Sequence, residues 1–373
     1  MEELLKGVTG LTWQTGVMFL IGGILIWLAI KKQYEPMLLL PIGFGAILAN
    51  IPFSAVIGTA EEPGFLKLMY DIGITTEVFP VLIFIAIGAM VDFTPVLKNP
   101  FMIFFGAAAQ MGIFLTILMA IGFGFNIFEA CGIGIVGSAD GPTSIYVANR
   151  LAPLLLPAIT VAAYSYMALV PIIQPPVIKL LTTKKERQIK MEYVEEPAPK
   201  WLLILFPIIV TLVAGIISPM SVSLVGLLMF GNLIRVCGVL EKLSAAAQNE
   251  LSNLVTLLLG ITIGSTMTAE SFLRPQTLMI LLMGLCAFIF GTATGVIFGK
   301  IANLFLKKKI NPMIGAAGVS AFPMSARVVQ KIAHDEDPSN FILMQAVSAN
   351  VSGQLGSAIA GGCIIALAQL FIL

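Results

Sequence analysis

The residue whose chemistry is easiest to interpret is Asp140, because it lies in a long apolar part of the chain. It belongs to Gly137-Ser-Ala-Asp-Gly-Pro-Thr-Ser144, where Gly141 and Pro142 prevent a continuous helix and free backbone carbonyls. A charge at the centre of a membrane costs roughly 2.5 to 3.5 kcal/mol and is usually retained for function. A carboxylate beside hydroxyls and free carbonyls is a hard oxygen site, suited to Na+ or H+. The alternative is an aspartate at the bilayer edge that only caps a helix.

A second set of polar residues lies in the C-terminal part of the chain, within apolar stretches. It comprises Asn311, Gly315, Ser320, Ser325 and Arg327 in one stretch and Asn350, Ser352, Gln354 and Ser357 in the last apolar span. A single polar residue in a span is often only a contact between helices. Four within eight residues, from Asn350 to Ser357, predict the lining of a site or a path. Arg327 suits an anionic group arriving from the cytoplasm, and the alternative is an ordinary positively charged anchor.

Composition shows what must position these residues. The chain has 373 residues, of which 58% are hydrophobic and 11% are charged, and its mean hydropathy is +0.98. Apolar runs of about 20 residues recur along the whole length, as in a multi-pass membrane protein. A net charge of +1 gives no basic surface for nucleic acid. The four cysteines are far apart, which argues against a metal site or disulfides. Gly132-Ile-Gly-Ile-Val-Gly137 lacks the βαβ context of a dinucleotide site.

Lys and Arg concentrate in three clusters, which predict the cytoplasmic side. These clusters are Lys31–Lys32, Lys184–Lys190 and Lys307–Lys309. If all three face the cytoplasm, an even number of spans must separate them. The count is even only if residues 130–149 enter and leave the membrane on one side as a re-entrant hairpin.

The residues around Asp140 resemble those around Ser320, which predicts an internal repeat. Ser138-Ala139 aligns with Ser320-Ala321, and each pair is followed closely by proline. Upstream, Ile87-Gly88 aligns with Ile263-Gly264, and downstream Tyr166 aligns with Asn350. With the orientation above, the first hairpin starts outside and the second starts in the cytoplasm, so the repeat is inverted. Paired broken segments in inverted halves indicate a transporter-type site at the bilayer midplane. Chance similarity between two Gly/Ala-rich segments is the alternative.

We therefore predict an all-α polytopic membrane protein with an inverted-repeat, transporter-like fold. It has two broken or re-entrant helical hairpins and about ten transmembrane helices. The whole chain, 1–373, forms one integral membrane domain. The first repeat covers 37–181 with its broken segment at 130–149, and the second covers 202–373 with its broken segment at 311–330. A cytoplasmic basic loop, 182–201, joins them.

Three motifs closely resemble those of a known family. They are Gly137–Ser144, the stretch Asn311–Arg327 with its Gly-Val-Ser-Ala-Phe-Pro-Met-Ser-Ala-Arg ending, and Ala349–Ser357. The family is that of the beta subunits of the sodium-pumping, biotin-dependent decarboxylases of oxaloacetate, methylmalonyl-CoA and glutaconyl-CoA. The resemblance covers nearly the full length.

The resemblance implies a function and a set of partners. A carboxyltransferase alpha subunit moves a carboxyl group onto biotin held by a separate carrier subunit, and that carrier visits this chain from the cytoplasm. Here carboxybiotin is decarboxylated, an external proton is consumed and Na+ is exported. The resemblance also implies a small membrane-anchored gamma or delta subunit, a homo-oligomer such as a trimer, no nucleic-acid partner, and the bacterial cytoplasmic (inner) membrane. The compact length favours the methylmalonyl-CoA or glutaconyl-CoA type.

The resemblance further implies roles for individual residues. Asp140 is the residue of Na+ binding and proton exchange, Arg327 holds the carboxylate of carboxybiotin, and Tyr166 is a further catalytic residue. The Na+ ligands that accompany Asp140 are Asn311, Ser320 and Asn350. Supporting residues are Ser138, Gly315, Ser352 and Ser357, and among these Gly315 allows close backbone approach.

Two other functions compete with this interpretation. A secondary transporter that couples Na+ to an organic anion needs the same repeat, the same Asp140 and the same Arg327, but no biotinylated partner. A structural anchor for a soluble decarboxylase leaves Asp140 and the polar last span unexplained.

Overall fold

The computed structural model describes residues 7–33, 35–58, 62–191 and 198–370, and within them the chain is helical. Parts of the predicted repeats and loop, 59–61, 192–197 and 371–373, lie outside the described residues. The α-helices are α1 Trp13–Lys32, α2 Pro36–Ala49, α3 Phe65–Met69, α4 Val78–Met90, α5 Thr94–Lys98, α6 Ile103–Ala109, α7 Met111–Gly122, α8 Ile127–Gly134, α9 Gly141–Leu151, α10 Leu156–Leu181, α11 Lys184–Arg187, α12 Lys200–Ile217, α13 Val222–Val236, α14 Glu241–Ala246, α15 Ser252–Ser265, α16 Ala269–Phe272, α17 Pro275–Phe305, α18 Met324–Glu336 and α19 Leu343–Gln369.

Short helical turns of other types join or extend these helices. The 3-10 segments are Pro100–Met102, Ile135–Ser138, Pro153–Leu155, Pro219–Ser221 and Pro312–Gly318, and the π-helical segments are Tyr70–Thr75 and Ala247–Leu251. The two segments at Ile135–Ser138 and Pro312–Gly318 fall inside the predicted broken stretches. The interruption of regular α-helix there agrees with the Gly and Pro content of both stretches.

Long apolar helices confirm a multi-pass membrane protein. Among the described residues, seven helices are long and apolar enough to cross a bilayer. A further pair, residues 65–75 and 78–90, qualifies together although it is bent by 62°. Pro36–Ala49 is apolar but shorter. The all-α membrane fold is therefore confirmed, whereas the number of about ten spans stays a prediction.

The two halves of the chain make matching contacts with each other. Helix α2 packs against α15, and α4 packs against α13, so each half contributes one helix to each pair. Gly88 and Gly264, which the repeat aligns, lie at equivalent crossings. A methyl group on Gly88 would come within 1.9 Å of the Leu228 carbonyl oxygen, and one on Gly264 within 2.2 Å of the Ile42 carbonyl oxygen. These equivalent crossings fit an inverted repeat, whose exact bounds stay a prediction.

The longest helices cross the two broken stretches near their own midpoints. Helix α17 contacts the Pro312–Gly318 and Ile135–Ser138 segments, and Gly291, midway along α17, packs close to the carbonyl oxygens of Ala109 and Gly137. Helix α19 likewise contacts both broken stretches. At 1.5 Å per residue, the middle of a helix of this length lies near the middle of a bilayer. Both broken stretches thus lie beside the middle of long apolar helices, and their mid-membrane depth stays a prediction.

Candidate functional site

The first broken stretch brings Asp140 to the tip of a hairpin. Helix α8 continues as the 3-10 segment Ile135–Ser138, and the chain then turns through Ala139, whose φ of 55° is left-handed. Asp140 caps the following helix α9, accepting a hydrogen bond from the Thr143 backbone amide at 3.4 Å. Left-handed backbone at a non-glycine residue is uncommon and persists only where the surrounding structure holds it in place. The helix-cap role expected as an alternative is therefore present, but in the interior of the bundle.

The two hairpin tips touch each other. The Ser320 backbone amide donates a hydrogen bond of 3.0 Å to the carbonyl oxygen of Ser138. The Ser138 hydroxyl is used locally, donating to the Ile135 carbonyl at 2.7 Å. The predicted alignment of Ser138 with Ser320 thus corresponds to two segments that meet in space. A single hydrogen bond joins the broken elements of the two halves.

The Asp140 carboxylate is buried, with 2% of the residue exposed. Its Oδ2 accepts hydrogen bonds from Thr143 Oγ1 at 2.6 Å, Ser357 Oγ at 2.6 Å and Gln354 Nε2 at 3.0 Å. Among the described residues, its Oδ1 accepts only the 3.4 Å bond from the Thr143 amide. The Ser144 hydroxyl donates to the Asp140 carbonyl at 2.7 Å. One carboxylate oxygen is thus saturated, while the other has room for a further ligand.

In the part of the chain that the structure describes, the Asp140 carboxylate has no cationic side chain as a partner. The ion pairs in the described part of the chain join other residues. A buried ionised carboxylate without a partner is strongly unfavourable. The group therefore needs either a proton or a bound cation, and the neutral donors around Oδ2 allow both states.

A second, uncharged group of oxygens lies beside the tip of the other hairpin. Asn350 Nδ2 donates to the Val319 carbonyl at 2.7 Å, and its Oδ1 is buried without a partner among the described residues. The Ser320 hydroxyl donates to the Gly353 carbonyl at 2.8 Å. Residues 350, 354 and 357 share one face of α19, since successive members are four and three apart, and Gly353 lies at the edge of this face. This face runs from the Ser320 tip to the Asp140 tip.

Three predicted supporting residues have clear but different positions. Ser357 contacts Asp140 directly, as above. The backbone of Gly315 packs against α17, where an added methyl group would lie 1.9 Å from the Gly295 carbonyl oxygen. The Ser352 hydroxyl donates to the Ser348 carbonyl of its own helix at 2.8 Å. The close backbone approach expected at Gly315 is therefore observed.

Asn311 is not brought to Asp140 or Asn350. It begins the 3-10 segment of the second hairpin, where its Oδ1 accepts from the Met313 amide at 3.1 Å. Its Nδ2 donates to the carbonyls of Arg187 at 2.9 Å and Ile189 at 3.0 Å. The amide therefore joins the hairpin to the basic loop on the side predicted to be cytoplasmic. Its role as a Na+ ligand stays a prediction.

Two tyrosines on α10 face different neighbours. The hydroxyl of Tyr166, the predicted catalytic tyrosine, donates to the Leu281 carbonyl on α17. Tyr164 packs instead against the Asp140 hairpin, because a methyl group on Gly141 would lie 2.3 Å from its ring. The Tyr164 hydroxyl is buried without a hydrogen-bond partner among the described residues. Sequence reasoning therefore missed the tyrosine that lies beside the carboxylate.

Arg327 lies on the exposed side of α18. Its charge acts on Glu35, which precedes α2 on the side predicted to be cytoplasmic. Burial raises the pKa of the Glu35 carboxyl, and Arg327 lowers it by a smaller amount. Arg327 and Glu35 thus carry opposite charges on the predicted cytoplasmic side, near enough for the pKa of Glu35 to respond.

Ion pairs hold the basic loop against the end of α18. Arg187 bonds to Glu336 at 2.7 Å, and Lys190 bonds to Asp337 at 3.2 Å. Hydrogen bonds from Ser339, with help from Lys190, lower the pKa of Asp337 to about 2. The residues of the predicted loop that the structure describes therefore form an ordered cover over the start of the second hairpin.

Fold and site together define a multi-pass membrane protein with a buried, hydrogen-bonded carboxylate in its interior. A family described as the Na+-transporting oxaloacetate decarboxylase beta subunit matches residues 14–368. The chain is 50% identical over 97% of its length to the glutaconyl-CoA decarboxylase subunit beta of Acidaminococcus fermentans, covering 95% of that protein. Identity and coverage are the same for the methylmalonyl-CoA decarboxylase subunit beta of Veillonella parvula. The oxaloacetate decarboxylase beta chain of Haemophilus ducreyi is 43% identical, with 96% of each chain covered. The chain belongs to this family of decarboxylase beta subunits.

Proposed function

We propose that this chain is the membrane subunit of a primary sodium pump and exchanges Na+ for H+ at Asp140. The single observation that supports this most strongly is a carboxylate buried between its own hairpin tip and α19, with three neutral donors on Oδ2 and no cationic partner among the described residues. A proton and a Na+ cannot both neutralise one carboxylate, so they compete for it. That competition is the chemical basis of exchange.

Export of Na+ needs a source of free energy. Moving one charge against 100 mV requires about 2.3 kcal/mol. The names of the relatives indicate decarboxylation as that source. We propose that a carrier subunit delivers carboxybiotin to the predicted cytoplasmic side, where Arg327 receives its carboxylate. The carboxyl group leaves as CO2, and the ring nitrogen of biotin that carried it takes up the external proton.

The position of Arg327 supports this assignment. It is exposed on α18, and its positive charge lowers the pKa of the nearby Glu35 carboxyl. An exposed guanidinium binds a carboxylate with two parallel hydrogen bonds. Helix α18 belongs to the same hairpin as Ser320, so an anion bound at Arg327 acts on an element that contacts the ion site.

We propose that the primary substrate of the complex is of the methylmalonyl-CoA or glutaconyl-CoA class. The supporting observation is the 50% identity to both of those subunits, against 43% to the oxaloacetate type. The carboxyltransferase alpha subunit, the biotin carrier and a small membrane-anchored subunit are the proposed partners, and a homo-oligomer is the proposed assembly. A secondary transporter of organic anions is not favoured, because the relatives named here are decarboxylase subunits.

The test is a reconstitution. The purified chain in liposomes receives free carboxybiotin, and CO2 release is followed with and without Na+. We expect Na+ to stimulate release and Asp140→Asn to remove that stimulation. Na+-driven uptake of an organic anion, with carboxybiotin left intact, would establish the transporter instead.

A further inference from the structure

Two buried amide side chains beside the second hairpin tip have oxygens that accept no hydrogen bond from the described residues. Gln110, 5% exposed, donates from Nε2 to the Gly353 carbonyl at 3.2 Å, and Asn350, 0% exposed, donates from Nδ2 to the Val319 carbonyl. A carbonyl oxygen only accepts hydrogen bonds, so in each case the amide nitrogen must face it. The amide orientation is thus fixed by chemistry. Oε1 of Gln110 and Oδ1 of Asn350 are left without donors among the described residues.

Gln110 comes from outside both hairpins. It lies at the break between α6 and α7, where the chain makes a turn within an apolar stretch. Its Nε2 also lies 3.3 Å from the Ser320 hydroxyl. Ser320 in turn bonds to the Gly353 carbonyl and to Ser138 of the other hairpin. Gln110 therefore joins a third element to the point where the two hairpin tips meet.

Helix α19 connects the contact between Gln110 and Ser320 to the Asp140 carboxylate. Gly353 precedes Gln354, which donates to Asp140 Oδ2 at 3.0 Å. Gly353, whose carbonyl accepts from Gln110, and Gln354, which donates to Asp140, are thus neighbours on one helix. Amide and carbonyl oxygens are good ligands for Na+ but very weak bases, so they favour Na+ over H+. A carboxylate alone gives no such preference.

We propose that Gln110 is a specificity-determining residue of the ion site, whose Oε1 serves as a neutral ligand for Na+ at the crossing of the two hairpins. The proposal rests on the proposed function, since it takes Na+ as the transported ion. It assigns Gln110 to Na+ affinity and leaves proton exchange to Asp140. Gln110 has no proton to exchange, so its removal weakens Na+ binding selectively.

The experiment measures how much Na+ is needed to stabilise the purified chain in detergent against thermal unfolding, with choline chloride holding ionic strength constant. We expect Gln110→Met to require about 10-fold more Na+ than wild type, the loss typical of one ligand or its support. Gln110→Glu retains the wild-type requirement, because a protonated carboxyl keeps the acceptor oxygen and one donor for the Gly353 carbonyl. Should the methionine variant fail to fold, Gln110→Asn, which withdraws the oxygen, gives the same shift.

The matched control is Asn50→Leu, at a buried amide whose two ends both have partners. Asn50 Nδ2 donates to the Met267 carbonyl at 2.7 Å, and Oδ1 accepts from the Ala269 amide at 2.8 Å. This variant lowers stability at every Na+ concentration without changing the Na+ requirement. A wild-type Na+ requirement in Gln110→Met would overturn the assignment of Gln110. Absence of any Na+ effect on the wild type would overturn the proposed function and this inference with it.

Discussion

Ser138 and Ser320 are joined by a single backbone hydrogen bond of 3.0 Å, from the Ser320 amide to the Ser138 carbonyl. The bond connects two hairpins that belong to opposite halves of the chain. Asp140 lies two residues beyond Ser138, so any displacement of one hairpin against the other changes the surroundings of the carboxylate. The proposed ion site thus lies next to a contact between elements of opposite halves.

Removal of one donor to Asp140 is expected to weaken Na+ binding. Ser357→Ala removes a 2.6 Å hydrogen bond to Oδ2, whereas Ser352→Ala removes one only to its own helix. A hydrogen bond to a charged group contributes about 1.5–3 kcal/mol, or about 10- to 100-fold in affinity. Without it the ionised form is less stable, so the proton competes better with Na+. We expect the half-maximal Na+ concentration for decarboxylation to rise by about 10-fold or more in Ser357→Ala. Equal effects of the two variants would contradict the assigned geometry.

Arg327→Ala is expected to separate anion binding from ion binding. Loss of a charge-assisted hydrogen-bond donor should raise KM for carboxybiotin by about 10- to 100-fold. The Na+ concentration that stabilises the purified chain should not change, because Arg327 has no described hydrogen bond to the ion site. Arg274→Ala, whose Nε donates to the Glu270 carbonyl, serves as the control and leaves KM unchanged. An unaltered KM in Arg327→Ala would remove the basis for placing carboxybiotin there.

Glu35 predicts a pH dependence of substrate binding. Burial raises the pKa of its carboxyl above the ordinary value. As pH falls through that raised pKa, Glu35 becomes neutral. Its negative charge then no longer offsets the positive charge of Arg327, which attracts the carboxylate of the substrate more strongly. The KM for carboxybiotin should therefore fall with decreasing pH. A raised carboxyl pKa also means that the folded state binds the proton more tightly, so this group contributes stability as pH falls and loses it as pH rises.

Glu35→Gln tests this directly in steady-state assays across the pH range. The variant should show the low KM at every pH, because glutamine never opposes Arg327 as an anion. Glu77→Gln, at a residue paired with Arg150, is the control and should follow the wild type. A Glu35→Gln profile that tracks the wild type would show that Glu35 does not compete for Arg327.

Gly315→Ala is expected to destabilise the second hairpin. The added methyl group would lie 1.9 Å from the Gly295 carbonyl oxygen, so α17 and the hairpin must separate. Overpacking of this kind costs about 1–3 kcal/mol. Thermal unfolding in detergent should show a lower midpoint for Gly315→Ala. Gly23→Ala, where nothing lies within 4 Å of the added methyl group, should leave the midpoint unchanged or raise it. No difference between the two variants would argue against this close packing.

The sequence predicted the parts of the site that carry local signals. Asp140 is costly in an apolar context, and glycines and prolines mark both hairpins, so the charge and the breaks were both recognisable. Thr143 also had a signal, because it stands three residues after an aspartate, the spacing of a helix cap. Membership of the decarboxylase family was predicted from the motifs and is confirmed by the family match.

Two residues of the site, Tyr164 and Gln110, could not be predicted, because their positions depend on the rotation of a helix about its axis and on contacts between distant parts of the chain. Tyr164 and Tyr166 are two residues apart, which turns them by about 200° around a helix and places them on different faces. An alignment of weak repeats does not fix a position to within two residues. Gln110 carries no such signal, because a single polar residue in an apolar span usually only contacts another helix. Its carbonyl partner, Gly353, is 243 residues away.

Proton release on Na+ binding tests the central claim most directly. Purified chain in weakly buffered solution receives NaCl, and the released protons are counted against bound Na+. Exchange at Asp140 predicts proton release from the wild type and none from Asp140→Asn. Undiminished release from Asp140→Asn, or Na+ binding to the wild type with no proton released, would contradict it.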